Sequence, residues 1–110
     1  MAITNMKSYE FKNKEDLATF LEEKHEDFYE QVCGSIDAAF ASGRTSAYVA
    51  EIYLEKEQTY IDMVSEQDEW VGSLTLAMNY YSDIEKYEIC AKIKKLIEKI
   101  EEKTKSENSI

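Results

Sequence analysis

Ser46-Ala47-Tyr48-Val49-Ala50-Glu51-Ile52-Tyr53-Leu54-Glu55-Lys56-Glu57-Gln58-Thr59-Tyr60-Ile61-Asp62-Met63-Val64-Ser65-Glu66 runs without a glycine or a proline, and the next glycine is Gly72. The reading of this run decides the fold class. With no breaker, and with Thr45 or Ser46 available as an N-cap, it reads as a helix from 46 to about 66. At about 100° per residue, Ile52, Thr59, Met63 and Trp70 share one stripe while Ala50, Leu54 and Ile61 lie nearly opposite, the pattern of a helix with neighbours on two sides. Such a helix sits centrally in a bundle or at the interface of a homodimer. Glu66-Gln67-Asp68-Glu69 reads as a break between helices or as an exposed turn of one long helix, and Gly72-Ser73 offers another break; the favoured reading is a further helix over about 68–81.

Upstream, Asn13 is a good N-cap, with Glu15 and Asp16 in the first turn where the helix dipole favours acids. Leu17, Phe20, Leu21, Phe28 and Val32 fall within about 75° of one direction, and the acids lie on the other side. Ile36, Ala39 and Phe40 carry the apolar stripe past Gly34, so one helix is expected from 14 to Ser42-Gly43, where glycine suits a left-handed cap. Downstream, Asp83 reads as the N-cap of a last helix over 84–103, with Ile89, Cys90, Ile93, Leu96, Ile97 and Ile100 on one face. Residues 104–110 lack periodicity and are expected to fray, and residues 1–12 read as a short extended arm. The expectation is a single all-α domain over 1–110: a small antiparallel bundle of three to four helices spanning 13–103.

Composition agrees with a folded chain. Of 110 residues, 44% are hydrophobic and 33% charged, and with three glycines and no proline the turn chemistry of an all-β sandwich is missing. A glycine-rich phosphate cradle is missing for the same reason. The formal charge is −10, and it is uneven: residues 1–83 hold 17 acids and 6 bases, a net −11, whereas 84–110 hold 6 acids and 7 bases, a net +1. Like charge disfavours direct contact with nucleic acid or an anionic membrane, so a protein partner with a basic surface is the expected complement. The opening residues lack a signal-peptide core, and no window approaches the roughly 18 apolar residues of a spanning helix. A soluble, cytoplasmic protein is expected, with Cys33 and Cys90 as core thiols rather than a disulfide.

Leu74-Thr75-Leu76-Ala77-Met78 through Tyr87-Glu88-Ile89-Cys90-Ala91-Lys92-Ile93-Lys94-Lys95-Leu96-Ile97 resembles the UVR helical hairpin, whose second helix reads aromatic-Glu-x-Ala-Ala-x-Leu-Arg-Asp-x-Ile. Tyr87, Glu88, Ala91, Ile93 and Ile97 match that spacing, and Cys90 replaces a small residue conservatively. Lys94-Lys95 departs from the Arg-Asp pair, reversing the charge at Lys95. The resemblance covers residues 74–103 and implies a protein-docking device without catalysis.

Catalytic chemistry has little to build on. His25 is the single imidazole, and neither cysteine has sequence context that would lower its pKa, so no nucleophile has a base and no enzyme activity is expected. Glu22-Glu23-Lys24-His25 carries the Glu-x-x-His spacing of bundle metal sites, but only a dimer with Glu51 or Glu55 could complete a ligand set. No metal or other cofactor is expected. Two groups remain as candidate partner-binding residues. One is the acidic helix face of Glu22, Glu26 and Glu30, recurring at about 6 Å by helical rise, together with Glu23 and Asp27. The other is the aromatic set Tyr80, Tyr81, Tyr87 and Trp70, since Tyr and Trp join apolar contact to a polar handle. The sequence thus suggests a non-enzymatic acidic adaptor or regulator. A nucleic-acid mimic using the acidic face is the alternative, and a dimeric carboxylate/His metal bundle the lesser one.

Overall fold

A computed structural model describes residues 7–108. In chain order the elements are β1 (Lys7–Phe11), α1 (Lys14–Glu22), α2 (Glu26–Ala41), β2 (Ser46–Leu54), β3 (Thr59–Glu66), a 3-10 turn (Gln67–Glu69), α3 (Trp70–Asp83) and α4 (Tyr87–Asn108). The strands form one mixed sheet in the order β1-β2-β3, with β1 parallel and β3 antiparallel to β2. The chain is therefore mixed α/β, which overturns the all-α bundle suggested by the sequence. It divides into two compact units after Glu66.

The correction lies in the 46–66 run. Wound as a helix, it sets Ile52 against Ala50 and Leu54. As a strand it places all three on one face, and all three are buried. Tyr48, Val49, Ile52, Tyr53, Thr59, Tyr60, Ile61 and Val64 are aromatic or β-branched, residues that lose rotamer freedom in a helix and pack well on a pleated surface. The turn between the strands uses neither glycine nor asparagine: Gln58 takes the left-handed conformation at φ 49 and its N–H donates to the Glu55 carbonyl at 3.2 Å. The ladder also shifts register, with Tyr48 opposite Val64 and Ala50 opposite Met63, so Val49 is an extra residue on β2. That bulge lets Val49 and Ala50 both be buried. The expected N-terminal arm is likewise a strand from Lys7, and Glu55 and Lys56 N–H groups continue its pairing by donating to the Phe11 and Lys12 carbonyls at 2.9 and 2.8 Å.

The expected 14–42 helix is two helices. Asn13 does cap α1, its side chain accepting from the Asp16 N–H at 2.9 Å. But α1 stops at Glu22, Glu23 is extended (φ −75, ψ 142), and His25 occupies the N-cap position of α2. The aromatic side chains account for the break. On a straight helix, Phe20 and Phe28 would stand about 12 Å apart along the axis, whereas their ring centroids are 5.8 Å apart. Both rings close on β1: Tyr9 lies 5.2 Å from Phe20 and 6.4 Å from Phe28, and Phe11 lies 5.2 Å from Phe20. Only a turn between the helices brings two rings eight residues apart onto one strand. As expected, α2 runs through Gly34 and ends before Gly43, whose φ of +74 suits glycine. Ile36 and Ala39 of α2 are buried, and with Ala47, Val49, Ala50, Ile52 and Leu54 of β2 they make the core of this unit.

In the second unit, α3 matches the expected 68–81 helix closely, and Trp70, Leu74, Ala77 and Tyr81 form its buried stripe. Asp83 is the last residue of α3 rather than a cap for the next helix. Glu85, at φ 61, turns the chain, and the Lys86 N–H donates to the Tyr81 carbonyl at 2.8 Å. α4 then begins at Tyr87 and continues to Asn108, through much of the segment expected to fray. Among its described side chains Ile93 and Ile100 are buried, Leu96 and Ile97 are half-buried, and the Cys90 thiol donates to the Met78 carbonyl at 3.4 Å. Residues 1–6 of the arm and 109–110 of the tail lie outside the described residues.

Candidate functional site

The sheet has two unlike faces. Cross-strand partners share a face, so Tyr9, Ile52 and Ile61 stand together, as do Phe11, Leu54 and Thr59. The rings of Phe20 of α1 and Phe28 of α2 pack against Tyr9 on this side, the side on which these two helices meet the sheet. The other face carries the rows Glu10–Tyr53–Tyr60 and Ser8–Glu51–Asp62, followed by Tyr48–Val64 and Ser46–Glu66. Glu10, Tyr48, Tyr60, Asp62 and Glu66 are exposed, and Glu51 and Tyr53 are half-buried.

Among the described residues, the paired rows of this open face hold four carboxylates, three tyrosines and no lysine, arginine or histidine. Neighbouring strands are about 4.8 Å apart, so the rows form a close lattice. Tyr53 and Tyr60 meet with ring centroids 4.7 Å apart at 44°, and Tyr60 remains 68% exposed. Glu51 and Asp62 stand directly opposite one another, a like-charge pairing that works against the sheet. Ser46 Oγ donates to the Glu66 carboxylate at 2.7 Å, fixing that acid without neutralising it. Chemically, the surface suits a cation: carboxylates supply the charge, and exposed tyrosine faces accept guanidinium or ammonium groups.

The acids singled out in the sequence do not form one helical ladder. Glu22 closes α1, Glu23 lies between the helices, and Glu26 opens α2, so the repeat of about 6 Å fails at its first step. Glu26 and Asp27 occupy the first turn of α2, where acids stabilise the helix dipole, and Asp27 also pairs with Lys7 Nζ at 3.3 Å. Glu23 Oε1 lies 3.4 Å from His25 Nε2. Glu30 is exposed one turn further along α2. The same break separates Glu22 from His25, while Glu51 has moved to the sheet and Glu55 to the hairpin turn. Among the described residues no three His, Cys, Asp or Glu side chains gather as a metal would require. Of the aromatic candidates, Trp70 and Tyr81 are interior, 0% and 1% exposed, Tyr80 is half-buried, and Tyr87 stands 61% exposed at the start of α4. Tyr48, Tyr53 and Tyr60 have no helical spacing in common, and only strand alternation places them on one face with Glu51 and Asp62.

Elsewhere in the first unit, two groups show the effect of burial. Burial, and then the charge of Asp37, pushes the Cys33 thiol up to about 11. Burial, and then Asp27, also raises Tyr9, with Lys7 opposing, and the Tyr9 hydroxyl is enclosed without a hydrogen-bond partner among the described residues. Neither environment activates a nucleophile. In the second unit, Gln67, Asp68, Val71, Ile100, Glu101, Thr104 and Lys105 line an open cleft of about 410 Å³ with charges of both signs. Among the described residues, no helix is long and apolar enough to cross a membrane. No protein-family model, curated protein or solved structure matches the chain.

Proposed function

We propose that this protein is a non-enzymatic acidic adaptor or regulator that docks on a basic surface of a partner protein through the open face of its sheet. The carrying observation is the composition of that face: Glu10, Glu51, Asp62 and Glu66 interleaved with Tyr48, Tyr53 and Tyr60, and no base among them. A face kept only for solubility is served by mixed charges. One that concentrates a single sign beside exposed tyrosines pays in self-repulsion and gains a strong, salt-sensitive attraction for cations. The cytoplasm is the setting we infer, since Cys33 and Cys90 are both free thiols. In this reading the segment that carries the UVR resemblance is a second docking element, with Tyr87 exposed at the start of α4.

Affinity capture from the native host by the parent, compared with two charge-neutralised variants, tests the proposal. One variant joins Glu51→Gln to Asp62→Asn; the other joins Glu22→Gln, Glu26→Gln and Glu30→Gln. The sheet variant should lose a basic partner that the parent retains at low salt, and the helix variant should keep it. Equal capture by parent and sheet variant, with the same salt response, refutes the assignment.

A further inference from the structure

The sheet ends at β3. Among the described residues β3 pairs only with β2, so from Thr59 to Val64 the outer main-chain edge has no strand beside it. Edge strands are commonly shielded by lysine, proline, a bulge or short length. β1, at the other edge, is five residues long and begins with Lys7, whereas β3 runs for eight residues without lysine or proline, and the extra residue of the β2–β3 ladder lies on β2. Thr59, Tyr60, Ile61 and Asp62 are all exposed.

We infer that the β3 edge accepts an extended segment of the partner as a fourth strand, and that this segment alternates lysine or arginine with apolar residues. The inference rests on the docking role proposed for the open face and specifies how that face is engaged. An added strand presents alternate side chains to the two faces. On the open face they fall beside Tyr60 and Asp62. A base next to Asp62 forms a cross-strand ion pair and offsets the repulsion between Asp62 and Glu51, and a guanidinium next to Tyr60 stacks on its exposed ring. On the helix side the neighbours are Ile61, still 39% exposed, and Met63, which favour apolar side chains. A second copy of β3 would instead bring another Asp62 to the same edge, so charge selects a basic strand over self-pairing.

The test uses the full chain and a synthetic capped peptide of alternating arginine and valine. It is compared with a scrambled peptide of the same composition and with two analogues N-methylated on one or the other alternate set of amides. The alternating peptide should bind at low salt and slow amide exchange over Thr59–Val64. N-methylation of one set, the set facing β3, should weaken binding at least about tenfold, and methylation of the other set should have little effect. Equal binding by both analogues and the scrambled peptide, without β3 protection, overturns the edge inference and leaves the face reading in place. No binding by any of the peptides overturns both. A concentration-dependent dimer in sedimentation that the peptide dissociates would make the occupant a second copy and overturn the inference as well.

Discussion

Relieving the Glu51–Asp62 pairing should stabilise the protein while weakening its proposed function. The two residues stand opposite each other on the open face, one half-buried and one exposed. Opposed Cβ atoms lie about 5 Å apart, which leaves the carboxylates roughly 6 Å apart. Coulomb's law then gives about 0.7 kcal/mol in a water-like dielectric, within the ~0.2–1 kcal/mol of cross-strand pairs. Asp62→Asn removes the repulsion and should stabilise the protein by about 0.5 kcal/mol at low ionic strength; Asp62→Lys replaces it with attraction and should reach about 1 kcal/mol, a rise in Tm of roughly 4–8 °C for a unit of this size. Thermal melts followed by circular dichroism measure both. The gain should shrink in 0.5 M salt, where screening acts within about 4 Å, and the Asp62→Asn gain should vanish in a Glu51→Gln background. If Asp62→Asn melts at or below the parent at low salt, or its gain is unmoved by salt and by Glu51→Gln, the two acids do not repel and the reasoning fails.

Three further outcomes follow from burial. Leu54→Ala should cost about 2–5 kcal/mol in a urea titration, because Leu54 is fully buried in the core of the first unit. Ile93→Asp should lower stability by several kcal/mol, since Ile93 is only 4% exposed and its replacement would be an unpaired buried charge; a melt matching the parent would place that face of α4 wrongly. In Cys90→Ser protein, iodoacetamide should alkylate Cys33 at pH 8 roughly a hundredfold more slowly than a free thiol, with the rate still rising towards pH 11, because burial and then Asp37 push the thiol up to about 11. As the folded state holds that proton more tightly than the unfolded one, the stability it contributes is present below about pH 8.5 and is lost as pH rises towards about 11.

The helices were largely legible in the sequence because each carries its own punctuation. Asn13 and Asp16 mark the start of α1, Gly43 marks the end of α2, and the spacing of Ile93 and Ile100 shows the inner face of α4. The α1–α2 break was not legible, because Phe20 and Phe28 remain in phase on one continuous helix; their common target, Tyr9, is a tertiary fact. The hairpin was hidden by its turn: Gln58 adopts a positive φ without the Asn-Gly or Asp-Gly signal that usually marks one. Its trace in the sequence was the alternation of Ala50, Ile52 and Leu54 with Glu51 and Tyr53. Once that alternation is lost, so is the candidate site, since Tyr53, Tyr60, Glu51 and Asp62 become neighbours only across a ladder. Acidic character was readable from composition, but its placement was not.

The parallel pairing of β1 with β2 also orders events in time. β1 is the first of these strands to be synthesised, yet Lys7 meets Ala50 and Phe11 meets Leu54, so it waits until α1, α2 and most of β2 exist. β2 and β3 face no such delay, because one tight turn joins them and a hairpin closes in about 1–10 μs. Closing the longer loop costs entropy before any contact rewards it. The first strand made is therefore the last strand paired, and pulse-labelled refolding should show β3 amides protected before those of β1. Until β1 arrives, the β2–β3 hairpin has an unpaired main-chain edge on its β2 side, and that interval is when another extended chain could compete for β1's place.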